Sequence, residues 1–122
     1  MGKVIKFEDL ECWKNAKLIV LKIYLISDKG PLQKDYGLKD QLRRAATSIM
    51  NNIAEGFGRI GNRDFIRFLN YANSSANEVK SMLYLLNELN LITSKENENL
   101  HELTDTVRKQ ILSFIKYLNS KQ

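Results

Sequence analysis

Five of the chain's six arginines fall between residues 43 and 67: Arg43, Arg44, Arg59, Arg63 and Arg67. Only Glu55 and Asp64 oppose them in that interval. A guanidinium is a planar fork that gives a phosphate two parallel hydrogen bonds, so these residues suit contact with a nucleic-acid backbone. Ion pairing uses the same residues. Glu55 falls in the last turn of an expected helix, where the helix dipole disfavours an acid and asks for a cation. Arg59, Arg63 or an arginine of a neighbouring chain would serve. Both readings stay open at this stage. Interleaved aromatics, the mark of a single-strand stacking platform, are thin: Phe65, Phe68 and Tyr71 read mostly as core.

Other constellations carry less. Gly56-Phe57-Gly58-Arg59-Ile60-Gly61 spells G-x-G-x-x-G, but a dinucleotide fingerprint needs a strand before it and here an apolar-faced helix precedes it. A glycine helix end and a flexible link is the expected use. A phosphate on the start of the next helix, flanked by Arg59 and Arg63, is the weaker one. Cys12 is the single cysteine and His101 the single histidine. One histidine cannot supply the two Glu-x-x-His pairs of a dinuclear bundle, and His101 reads as a surface residue among Glu98, Glu102 and Asp105. Glu55, Glu78 and Glu88 read as solvated or salt-bridged positions. The expectation is no enzyme, no metal and no cofactor.

The elements that must position these residues are helical. The chain has 122 residues, 43% hydrophobic and 27% charged, with one proline and six glycines. That is too little punctuation for a many-stranded β fold, and the length fits one domain over residues 1–122. Net charge is +5, which leaves room for an acidic partner without demanding one. No apolar run reaches membrane-span length. Residues 1–6 lack the apolar core of a signal peptide, so the expected location is cytoplasmic with no membrane partner.

Helical spacing of apolar residues marks four helices. The first runs from about residue 9, with Asp9 as cap and Phe7 as a staple, to residue 28. A loop covers residues 31–37. The second helix starts near Leu38 and ends at Gly56 and Gly58. The third opens on Asn62 as N-cap; Phe65, Phe68, Leu69, Ala72, Ala76, Val79, Leu83 and Leu86 keep one phase, which argues against a break at the weak helix formers of residues 73–77. The small residues there suit close approach of a neighbour. Thr93 and Glu96 form a capping box for the fourth helix. Short links favour an antiparallel up-down-up-down four-helix bundle. The first helix is apolar nearly all round, and the third has a second stripe through Ile66, Met82, Leu85 and Leu89. A lone bundle buries one stripe per helix, so the excess predicts a homo-oligomer.

One block is more specific than patterning. Tyr36-Gly37-Leu38, Gln41-Leu42-Arg43-Arg44-Ala45-Ala46-Thr47-Ser48-Ile49 and Asn52-Ile53-Ala54-Glu55-Gly56-Phe57-Gly58-Arg59 resemble the bacterial four-helix-bundle family that includes proteins encoded in intervening sequences of ribosomal RNA genes. Phe7, Leu10, Trp13 and Ala16, and later Phe65, Leu69, Ala72, Ser75 and Glu78, resemble it too. The resemblance implies a ring-like homopentamer with no established activity. It also implies a likeness to the retroelement accessory proteins that bind nucleic acid and a reverse transcriptase through basic surface. Arg43, Arg44, Asn52, Glu55, Gly56, Gly58 and Arg59 match the family block, where Arg43, Arg44, Asn52, Glu55 and Arg59 would equally serve assembly. At Asn73-Ser74-Ser75 the chain departs from the family, which often has a glycine before the serine. The expected function is weak, sequence-tolerant binding of RNA or DNA; the alternative is a protein-binding assembly or adaptor module.

Overall fold

Helices α1 (Glu11–Ser27), α2 (Tyr36–Phe57), α3 (Asn62–Glu88) and α4 (Ser94–Asn119) carry most of the chain in the computed structural model, which describes residues 4–121. No strand occurs among the described residues, and no helix among them is long and apolar enough to cross a membrane. The expected leader-free start lies partly outside them.

The ends of the helices differ from the sequence reading, each for a local reason. Phe7–Asp9 forms a 3-10 turn, so Asp9 lies before the helix and Leu10, with extended backbone, takes the N-cap of α1. Phe7 still holds that entry, with its ring 5.2 Å from Trp13 in an edge-on contact. Pro31–Lys34 forms a second 3-10 turn inside the expected loop. α2 begins at Tyr36, ahead of Leu38, because the Asp35 carboxylate accepts from the Leu38 N–H at 3.1 Å. Gly61, at φ +90°, replaces Asn62 as N-cap of α3; only glycine adopts that backbone freely.

The capping box at α4 stands as read. Thr93 Oγ1 accepts from the Glu96 N–H at 3.0 Å, and the Thr93 N–H donates to Glu96 Oε1 at 2.9 Å. Lys29 reaches the same carboxylate at 3.4 Å, tying the end of α1 to the start of α4. Burial alone would raise the Glu96 pKa, but the Thr93 and Lys29 contacts outweigh it and hold it low.

Packing follows the stripes. α1 lies against α2 and α4, and α3 against α2 and α4. Ile19, Ile23, Ile49, Ile53, Leu69, Leu83, Leu86 and Ile111 are fully buried. α3 is continuous through residues 73–77, because Ala72 and Ala76 stay in phase and bury against α2, where Ala45 and Ala46 are buried. The Ser48 and Ser75 hydroxyls meet across the two helices at 2.8 Å.

One expectation about apolar residues needs correction, and another is seen directly. Met82 belongs to the core and Ile66 packs against it, so the second stripe of α3 reduces to exposed Leu85 and Leu89. On α1, Leu18, Leu21 and Leu25 remain exposed, Leu25 to 71%.

Candidate nucleic-acid interface

α2 separates the arginines into two groups. From residue 43 to residue 57 the helix advances roughly 20 Å at 1.5 Å per residue, so Arg43 and Arg44 lie toward its start and Arg59 lies just beyond its end. Closeness in sequence does not make one patch.

Arg43 is half-buried and committed. Its Nε donates to Ser27 Oγ at 2.9 Å. Its guanidinium carbon lies 4.1 Å from the centre of the Tyr24 ring. Ser27, fully buried in the last turn of α1, donates in turn to the Ile23 carbonyl at 2.6 Å. No basic residue of α1 itself serves its last turn, so Arg43 brings a cation from α2 to the negative end of that helix. Arg44 is exposed and lines a groove of about 610 Å³ between α2 and α3 with Asp40 and Glu78. Two carboxylates there blunt its pull on a phosphate. Asn52 donates to the Ser48 carbonyl at 2.9 Å and to Ser48 Oγ at 3.0 Å, which joins it to the serine contact between α2 and α3.

The turn from α2 to α3 gathers the other three. Arg59 pairs with Glu55 at 3.6 Å, and Arg67 pairs with Asp64 at 3.2 Å. Arg63 is exposed, with no hydrogen bond or ion pair among the described residues. Exposed pairs of this kind are worth only about 0–1 kcal/mol, so a phosphate can recruit Arg59 and Arg67 at little cost. Ile60, between Arg59 and Arg63 in sequence, is 98% exposed.

Phe68 and Tyr71 belong to this corner. The Arg59 and Arg67 guanidinium carbons lie 4.7 Å and 5.4 Å from the Phe68 ring centre. Tyr71 packs edge-on to Phe68 at 5.6 Å and is 47% exposed. Phe65 alone of the three aromatics is core, 5.1 Å from Phe114 of α4. The core phase of α3 takes in Phe68, which is only half-buried at the edge of the stripe; Tyr71, read as core by residue type, lies off that phase and is exposed.

Gly56 is no loose hinge. It lies inside α2 and is buried. A Cβ there would stand 2.7 Å from Phe68 Cβ and 3.0 Å from Phe65 Cδ1, so the bare backbone lets α3 come close and seats Phe68.

Cys12 and His101 are not in contact with one another among the described residues. Cys12 is buried, and desolvation pushes its thiol up to about 11, which keeps it protonated and a poor nucleophile. It shares a cavity with Lys109, Gln110 and Phe114, two helical turns from His101. No cluster of metal-ligating side chains occurs among the described residues.

His101 is half-buried against α3 rather than a free surface residue. Lys80 Nζ is 3.2 Å from its Nδ1 and 2.9 Å from Asp105 Oδ1. Tyr84 covers the ring at 4.4 Å. With Lys80 donating to Nδ1, the proton of the neutral ring lies on Nε2, which is buried without a partner among the described residues. Burial first, then Lys80, holds the pKa below 6.5, against the pull of Asp105. Lys80 in turn bonds Asp105 and holds that carboxyl low; Arg108 lies 3.7 Å from the same oxygen.

The sign follows from linkage. The unfolded chain takes up the His101 proton first, so stability is whole above pH 6.5 and declines as the pH falls toward the lowered value. The melting midpoint is expected to drop between about pH 7 and about pH 5. His101→Gln is expected to flatten that slope; an unchanged slope in the variant would assign it to other groups.

The class defined so far is an all-helical domain with an arginine and aromatic corner at one turn. The match to the family model of the 23S rRNA-intervening sequence protein covers residues 8–113, and the chain belongs to that family. It is also similar to a crystal structure of a protein of unknown function from the S23 ribosomal protein family of Bacteroides thetaiotaomicron. That similarity has 29% identity and a TM-score of 0.79, and covers 86% of this chain and 98% of the other. No curated protein matches the chain.

Proposed function

We propose that the chain is a non-enzymatic, cytoplasmic nucleic-acid-binding protein that acts as a homo-oligomer. Each subunit is an antiparallel up-down-up-down bundle. Cross-helix contacts that run in opposite sequence order support this: Ser48 with Ser75 and Gly56 near Phe68, then Lys80 with Asp105 and Phe65 with Phe114.

The observation that carries the binding role is the α2–α3 turn. It holds three exposed guanidinium groups against two weakly paired carboxylates. One surplus charge per subunit makes a weak, sequence-tolerant contact, and a ring-like homopentamer would repeat it five times on one particle. Binding of RNA or DNA is expected to fall steeply between low and physiological salt, read by fluorescence anisotropy, with little preference among sequences. Absence of binding at low salt would refute the role.

The exposed leucines support a second reading, an assembly or adaptor module with a protein partner. Leu18, Leu21 and Leu25 on α1 and Leu85 and Leu89 on α3 are faces a lone subunit leaves wet. Under that reading Glu55→Ala changes the particle mass and polynucleotide has no effect.

A further inference from the structure

We propose that the Arg59–Phe68–Arg67 layer, extended by Tyr71, is a stacking seat for an unpaired nucleobase, so that the preferred ligand is single-stranded nucleic acid over duplex. The proposal rests on the nucleic-acid reading above and specifies its ligand.

The geometry separates this corner from a simple basic patch. A phosphate site needs only charge and donors. Here two guanidinium groups are held over one aromatic ring, at 4.7 Å and 5.4 Å. Cation–π attraction keeps such a group near the ring. A guanidinium held on a ring is a π surface on which a base can stack. Tyr71, one turn further along α3 and half exposed, offers a second ring edge-on to the first. Neither Phe68 nor Tyr71 belongs to the buried core: the Phe68 Cβ packs near Gly56, while its ring carries the two guanidinium groups and Tyr71 stays half exposed.

The charges complete the seat. Arg59 and Arg67 hold Glu55 and Asp64 only by exposed pairs of 3.6 Å and 3.2 Å. Arg63 has no partner to give up. A strand laid across the turn would place a base on the layer and a phosphate on Arg63. A duplex keeps its bases stacked on one another and offers only phosphates. Proteins that hold single strands combine the same two elements, a basic track and aromatic platforms.

The test compares three fluorescent probes at low salt: a thymidine strand of roughly 20 nucleotides, an abasic strand of the same length and charge, and a duplex. The corresponding uridine strand repeats the comparison for RNA. The base-bearing strands are expected to bind at least about fivefold tighter than the abasic strand. Tyr71→Leu, on an exposed position that leaves the core intact, is expected to shrink that ratio without changing abasic binding. Phe68→Leu should do the same, and circular dichroism reports whether it folds. Arg63→Ala is expected to weaken all probes together. Equal affinity for base-bearing and abasic strands would overturn the stacking seat while leaving a phosphate-binding role intact. Failure of every probe to bind would overturn the nucleic-acid reading and this proposal with it.

Discussion

Gly56→Ala is expected to destabilise the protein by about 1–2 kcal/mol and lower its melting midpoint by roughly 4–8 °C. Two effects compete. Alanine in place of a helical glycine gains about 0.5–1 kcal/mol from backbone entropy and propensity. Overpacking a close contact costs about 1–3 kcal/mol. The contact decides, because the new Cβ would stand 2.7 Å from Phe68 Cβ and 3.3 Å from the Phe65 carbonyl oxygen. Those atoms lie near the α3 backbone and cannot swing aside as a side-chain tip does, so α3 itself must move. Gly58→Ala is the control. Its Cβ would meet only the Glu55 and Ala54 carbonyl oxygens, at 3.6 Å and 3.9 Å. Its φ of −79° suits any residue, so the change is expected to be neutral or mildly stabilising. Thermal melts of the two variants check both signs at once. Equal melts would mean that α2 and α3 do not approach closely at Gly56.

These two glycines show what the residues disclose and what they hide. In sequence they form one motif, read as the end of a helix. Their difference is set by the α3 residues packed beside them. The core stripe of α3 was legible because eight apolar residues hold one phase over a long helix, all but Phe68 of them buried, and the Thr93–Glu96 box because its partners are local. Caps that depend on a turn beforehand were not. Leu10 caps α1 only because Phe7–Asp9 curls first, and Asp35 caps α2 from within the segment read as loop. Phe68 shares the core phase but lies at the edge of the stripe and is only half-buried, whereas Tyr71 reads as core by residue type alone. Tyr71 is six residues from Phe65, about 120° from it around the helix at 3.6 residues per turn, so the phase that found the core also excludes Tyr71 from it. The arginine cluster was misleading in a different way. Its members are near in sequence, but a long helix separates Arg43 from Arg59, and no count of charge discloses that Arg43 is held by a serine and a tyrosine.

Arg43→Ala and Arg63→Ala each remove one positive charge, and they are expected to give opposite results. Arg43→Ala takes away a charged hydrogen bond to buried Ser27, 2.9 Å long, and the cation over Tyr24 at 4.1 Å. Such a bond is worth about 1.5–3 kcal/mol and the ring contact about 0.5–1 kcal/mol. Ser27 Oγ keeps its bond to the Ile23 carbonyl at 2.6 Å, which limits what the hydroxyl loses. The expected cost is about 2 kcal/mol of stability, read as an earlier denaturant midpoint, with the affinity of the folded protein for nucleic acid nearly unchanged. Arg63 is exposed and without a partner among the described residues, so its loss should leave stability within about 0.5 kcal/mol. Its affinity for a polynucleotide is expected to fall several-fold, with the salt dependence shallower by about one contact per bound subunit. Position thus separates two roles that charge alone cannot. Equal weakening of binding by both substitutions would place the affinity in the overall charge of the protein and remove the α2–α3 turn as its site. An Arg43→Ala protein as stable as the parent would show that the bond to Ser27 adds nothing to holding α2 against the end of α1.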